Sequence, residues 1–277
     1  MPDTAVSRSL EAPGARIHYE VSGSGPVLML IGLPMDSGGF AQVVPLLADR
    51  HTVVTYDPRG IGRSTIDDPD QDNTPEVCAA DVHRVLAAVT SEPADLLGSS
   101  GGAVTGLALL TAHPRQVRTF VAHEPPLIEL LADRAERRAD VDEIYRTYRT
   151  EGQGPAFAKF LALVSGMPLT GQPAPPPEPA PQQPPPSQEQ IRMGDRMLAH
   201  CLLPTTRYQP DLTALRAAST RIVVGVGKAA PSGLAYRTAV ALAGRLGIEP
   251  TDFPGSHGGF AEEPGSWAET LQAVLSR

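Results

Sequence analysis

Apolar positions in this chain fall into short, regularly spaced runs. Val27 to Ile31 is apolar throughout, the pattern of a strand covered on both faces. Arg16 to Val21 and His51 to Tyr56 read as strands on either side of it in sequence, followed by Ala94 to Leu97, Arg118 to Ala122, Arg221 to Val226 and a short one near Thr251 to Phe253. Helical patterns lie between them. Pro75 to Thr90 opens with Thr74 as N-cap and proline at the first helical position, and Gly101 to His113 is closed by Pro114. Leu234 to Leu246 and Pro264 to Ser276 are the last two. Short apolar strands alternating with helices predict an α/β fold with a mostly parallel, doubly wound sheet.

From about Leu127 to Leu215 the strand rhythm stops. Three amphipathic helices are expected there, at Asp133 to Arg149, Gly154 to Val164 and Gln188 to Cys201, and no internal repeat is present. The expected organisation is a core over residues 1–126, a helical cap over 127–215 and the rest of the core over 216–277. Of the 29 prolines, nine fall within the fourteen residues Pro173 to Pro186, a composition that favours extended polyproline II and has no face to pack. This segment is expected to be a surface loop within the cap. Tyr145, Tyr148, Phe157, Phe160, Leu161, Met193, Met197 and Leu198 sit at helical spacing in the cap and could serve either its core or a pocket.

Charge and cysteine content narrow the function. Lys+Arg number 23 against Asp+Glu 31, a net charge of −8, and no basic run occurs. A surface built for nucleic acid or anionic lipid is therefore not expected. Cys78 and Cys201 can form no disulfide framework and lack zinc-site spacing, and Met1 to Leu10 has no apolar run, so a cytoplasmic protein without a membrane span is expected. There is no metal-ligand cluster and no Gly-x-Gly-x-x-Gly fingerprint; neither metal nor cofactor is expected.

The sharpest chemical signal is Gly98-Ser99-Ser100-Gly101-Gly102, a Gly-x-Ser-x-Gly motif after the strand Ala94 to Leu97 and at the start of a small-residue helix. This spacing fits a strained turn that lifts a serine hydroxyl above the strand ends, with glycines permitting close backbone approach. Ser100 would then stand at a helix N-terminus, where developing negative charge is favoured. A serine hydroxyl needs a base. His257, in the glycine-rich stretch Pro254 to Phe260 before the last helix, is the candidate, and Ser100 before His257 is the chain order such hydrolases use. The other six histidines fall in strand or helix patterns or, for His123, beside Glu124, and read as packed or surface residues.

Gly32-Leu33-Pro34, the segment Tyr56 to Ser64, the serine turn and the histidine loop together resemble the α/β-hydrolase fold family, from about Arg16 to Leu275. The resemblance implies an oxyanion hole formed by the backbone N–H groups of Leu33 and Gly101, and a structural role for Asp57 to Ser64. The usual acid position, after Arg221 to Val226, holds Gly227 to Gly233 with no carboxylate until Glu249. A minority of the family carries the acid one strand earlier; here that strand leads into His123-Glu124-Pro125-Pro126, which makes Glu124 the third member of the triad. A Ser–Glu–His set of this kind resembles the zearalenone lactonases, although their cap tryptophan has no counterpart: Trp267 lies in the last helix. The implied function is a serine hydrolase that opens a carboxylic ester or macrocyclic lactone through an acyl-enzyme. Its partner would be a small apolar substrate, and a homo-oligomer is compatible with this reading. A general carboxylesterase and a non-hydrolytic biosynthetic enzyme are the alternatives, while a dehalogenase would want a carboxylate where Ser100 stands.

Overall fold

The computed structural model describes residues 5–167, 169 and 187–277; the proline-rich segment 173–186 lies outside them. In chain order the strands are β1 (Val6–Ala12), β2 (Ala15–Ser22), β3 (Val27–Leu33), β4 (Thr52–Tyr56), β5 (Thr65–Ile66), β6 (Ala94–Ser100), β7 (Val117–His123), β8 (Arg221–Gly227) and β9 (Thr251–Phe253). The helices are α1 (Val44–Ala48), α2 (Pro75–Val89), α3 (Gly101–Ala112), α4 (Arg134–Glu151), α5 (Gln153–Val164), α6 (Gln188–Arg196), α7 (Leu202–Thr206), α8 (Leu212–Ala217), α9 (Leu234–Leu246), α10 (Gly259–Glu262) and α11 (Pro264–Leu275).

Strand order is β1-β2-β4-β3-β6-β7-β8-β9, with the short β5 paired to β2. From β4 onward every pairing is parallel; β1 and β2 join as antiparallel edge strands. The period-2 alternation of side chains distributes each strand between two cores. Met29 and Ile31 of β3 pack with α2, α3, α8 and α9, while Leu28 and Leu30 face α1 and α11. This is the doubly wound α/β sheet expected from the chain, with the long apolar runs in the strands that are covered on both faces. α3 is buried at every residue from Gly101 to Leu110, and is accordingly apolar all round rather than striped.

The Asp57 to Ser64 turn is a polar knot. Asp57 accepts from the N–H groups of Ser37 (2.9 Å) and Arg63 (2.8 Å), and Ser64 Oγ donates to Asp57 O (2.6 Å). Gly62 takes φ 57° and a Cβ there would lie 2.7 Å from Asp57 Oδ2, so the turn requires glycine. Arg59, fully buried, meets both carboxylate oxygens of Asp81 on α2 at 2.7 and 2.8 Å.

The segment between β7 and β8 has its own apolar cluster, in which Val141, Ile144, Ala156, Leu163 and Leu198 pack together with Leu234 of α9. The third helix does not stop at Cys201 as expected. α6 passes through a π turn at Met197–Cys201 and continues as α7 to Thr206. The expected cap limit at 215 cuts α8, whose Leu215 belongs to the central cluster with α3 and α9. Arg196, at the end of α6, is buried and reaches down into the core. Its guanidinium donates to Asn73 Oδ1 (3.1 Å), to Pro69 O (2.6 Å) and to Gln71 O, while Asn73 N–H donates to His200 O of the π turn (2.9 Å).

Candidate active site

Among the described residues, two non-glycine residues have positive φ: Ser100 (57°) and Glu124 (49°). Backbone strain of about 1–3 kcal/mol persists at such positions only where the surroundings hold it, and it clusters at functional sites. Ser100 ends β6 and its ψ of −124° turns the chain abruptly into α3. The neighbouring glycines make the turn sterically feasible. A Cβ at Gly98 would meet Ala103 Cα at 2.6 Å, one at Gly102 would meet Ile31 O at 2.1 Å, and one at Gly101 would meet Leu33 O at 2.9 Å.

Parallel register places Leu33 at the end of β3 opposite Ser100 at the end of β6. Leu33, Ser100, Gly101 and His257 all line one cavity. The other walls come from Pro126, from Phe160, Leu163 and Val164 of α5, from Met197 and Cys201 of the π turn, from α7, and from Leu234 and Ala235 of α9. Among the described residues no charged side chain lines it, and its volume is about 60 Å³. Of the eight cap residues named above, Phe160 and Met197 reach this wall, while Leu198 is in the cap core and Phe157 and Leu161 are among the exposed apolar residues.

Glu124 is buried, one residue past β7, and accepts from Gly227 N–H at 2.9 Å through Oε1. Its Oε2 lies 2.6 Å from His257 Nδ1. That contact favours a proton on Nδ1 and leaves Nε2 as the nitrogen free to accept one. Burial pushes the Glu124 carboxyl upward, but the hydrogen bond and charge of His257, with smaller contributions from His123 and Gly227 N–H, outweigh it; the group lies below the usual glutamate range. A Cβ at Gly227 would meet Ser256 O at 2.4 Å. The end of β8 therefore supplies a backbone donor and a close contact to the histidine loop, where a carboxylate would otherwise be sought. Ser100 and His257 share the cavity with no hydrogen bond between them, as is common before substrate draws such a pair together.

His123, read from the sequence as a packed or surface histidine, is packed directly behind the Glu124–His257 pair. It is fully buried beneath His257, ring centroids 6.3 Å apart, and edge-on to Trp267 at 5.9 Å. Its Nδ1 lies 3.3 Å from Ser99 Oγ, joining the residue before the candidate nucleophile to the residue before the candidate acid. Burial lowers its pKa to about 4, so it is neutral near pH 7. Its adjacency to Glu124 in the chain was the available signal.

The chain belongs to the α/β-hydrolase fold family, whose model matches residues 25–192. At the level of individual relatives, it is 32% identical, in an alignment 283 positions long that covers 97% of this chain and 96% of the other, to the "Uncharacterized hydrolase YraK" of Bacillus subtilis (strain 168). Among solved structures, an esterase (EaEST) from Exiguobacterium antarcticum superposes with a TM-score of 0.74 at 19% identity, covering 98% of this chain and 100% of that one. The enol-lactonase from Burkholderia xenovorans LB400 does so with 0.67 at 16%, covering 98% and 100%. At these identities the two structures establish the shared fold alone.

Proposed function

We propose that the protein hydrolyses a neutral carboxylic ester or lactone through an acyl-enzyme formed on Ser100. The observation that carries this reading is the convergence of the strained Ser100 turn and the Glu124–His257 pair on one uncharged cavity. In this mechanism Ser100 Oγ attacks the carbonyl carbon while His257 Nε2 takes the hydroxyl proton, and Glu124 stabilises the resulting imidazolium. The N–H groups of Leu33 and Gly101 receive the oxyanion, charge that exists only in the tetrahedral state. His257 returns the proton to the departing alcohol. Water, activated by the same nitrogen, then releases the acid from Ser100. The helices between β7 and β8 act as the cap that closes this cavity against water. Both cysteines are free and buried, which supports a reducing compartment.

An esterase and an enol-lactonase share the fold, so the reaction is one that this scaffold accommodates. A macrocyclic resorcylic lactone is the second reading, favoured by the acid at the end of β7 and by the resemblance to the zearalenone lactonases. The cavity of about 60 Å³ is small beside the roughly 300–1,000 Å³ of pockets that enclose drug-sized ligands, so a macrocycle would enter only with the cap helices displaced.

The test is wild type against Ser100→Ala on p-nitrophenyl butyrate, followed by absorbance, and on zearalenone, followed by chromatography with mass detection. Loss of about a million-fold in turnover on Ser100→Ala is expected. Ring-opened zearalenone from the wild type would establish the second reading; a variant as active as wild type on the ester would sink both.

A further inference from the structure

Besides the candidate nucleophile Ser100, the wall of its cavity holds, among the described residues, one buried hydroxyl without a hydrogen-bond partner. Thr205, on α7, is 6% exposed and lines the cavity, yet its Oγ1 is buried without a hydrogen-bond partner. Its neighbour shows what is ordinary for this position in a helix: Thr206 Oγ1 donates to Leu202 O, four residues back, at 2.7 Å. Thr205 follows the π turn and does not do the same. Leaving a buried hydroxyl unpaired is costly, so its persistence in a native wall calls for an explanation.

Resting on the acyl-enzyme reading above, we propose that Thr205 is a specificity residue that recognises a neutral hydrogen-bonding oxygen, hydroxyl or keto, on an otherwise apolar ester substrate. Three features of the wall converge on that chemistry. Among the described residues no charged side chain lines it, so a carboxylate or ammonium on the substrate would be desolvated and unpaired. Its remaining surface is apolar, from Leu33, Phe160, Leu163, Met197 and Leu234, and suits a hydrocarbon body. The other polar groups are committed: Ser100 and His257 to the chemistry, Thr206 to Leu202 O, and Cys201 to a thiol that burial pushes up to about 12, a weak donor. A hydroxyl can donate to a keto oxygen or accept from an alcohol, and a threonine side chain in a helix has two favourable rotamers, so one turn about its Cα–Cβ bond exchanges methyl and hydroxyl at the wall. A plain hydrocarbon substrate would instead seal Thr205 in without a partner, and sites with such groups discriminate against analogues that lack the matching atom.

The experiment compares kcat/KM for matched p-nitrophenyl esters, pentanoate with 4-oxopentanoate and butanoate with 3-hydroxybutanoate, in wild type, Thr205→Val and Thr205→Ser. Expected is a wild-type preference of about tenfold for at least one oxygenated member, carried mainly by KM. That ratio should collapse to near one in Thr205→Val and recover in Thr205→Ser, which keeps the hydroxyl. Because the ratio is internal to each variant, a general loss of rate does not mimic the result. A wild type with no preference for either oxygenated ester, or a preference that survives in Thr205→Val, overturns the assignment while leaving the hydrolase reading intact. Wild type inactive on all four esters, or Ser100→Ala as active as wild type, overturns the hydrolase reading and the assignment with it.

Discussion

The buried His123 makes stability depend on pH in a window that can be worked out in advance. Unfolded, this imidazole titrates near 6.5; folded, burial lowers it to about 4. The folded state therefore disfavours the proton, and its advantage is full above the unfolded value and is lost as pH falls towards the folded one. With those two values, the linkage relation gives a loss of about 2 kcal/mol between pH 7 and pH 5 from this one ring, a large part of the roughly 5–15 kcal/mol that holds a typical protein folded. Glu124, depressed in the folded state, stabilises above its ordinary value near 4.5 and loses that contribution only as pH falls through its lower folded one, so it adds little slope in this window. Urea unfolding followed by fluorescence is the assay, since Trp267 is the one tryptophan and lies against the His123 ring. Wild type should lose about 2 kcal/mol more than His123→Phe between pH 7 and pH 5. Equal slopes in the two proteins would refute the argument that His123 is held neutral by burial.

Two further outcomes are expected. Glu124→Gln keeps the shape of the acid but presents His257 Nδ1 with the wrong partner, and should lower kcat by about 10⁴ with the far-ultraviolet spectrum unchanged; a loss under tenfold would mean that another acid serves His257. Gly102→Ala places a methyl group 2.1 Å from the backbone oxygen of Ile31, which no side-chain rotation can relieve, and should cost about 3 kcal/mol or more; a melting temperature within a degree or two of wild type would contradict the close packing of α3 on β3.

Most strands legible in the sequence are the central ones with long apolar runs, and β2 was read as well although Arg16, His18 and Glu20 interrupt it. β1 escaped notice: its alternation runs Val6, Arg8, Leu10 against Ser7, Ser9, Glu11, and its exposed edge position gives no reason for a continuous apolar run. The candidate site was legible where glycine spacing encodes geometry, at Gly98 to Gly102, and where chain order points to a candidate base, at His257. Glu124 became visible by resemblance, with its positive φ evident only once β7 and β8 were in register. Thr205, Arg196 and the π turn carry no such local mark. Each acquires meaning from a partner remote in the chain, or from the lack of one, and a one-dimensional pattern does not encode that.

The buried guanidinium of Arg196 has a bearing on how this scaffold could be re-engineered. Its acceptors lie more than a hundred residues upstream, on the loop Pro69 to Asn73, so the helices over the cavity are not an exchangeable module. A chimaera that imports a foreign lid between β7 and β8 would leave Asn73 Oδ1 and two loop carbonyls without their donor, whereas one that also replaces residues 67–73 transfers the joint together with the lid. Recombination breakpoints for altering substrate range therefore come in a matched pair, one on each side of this contact.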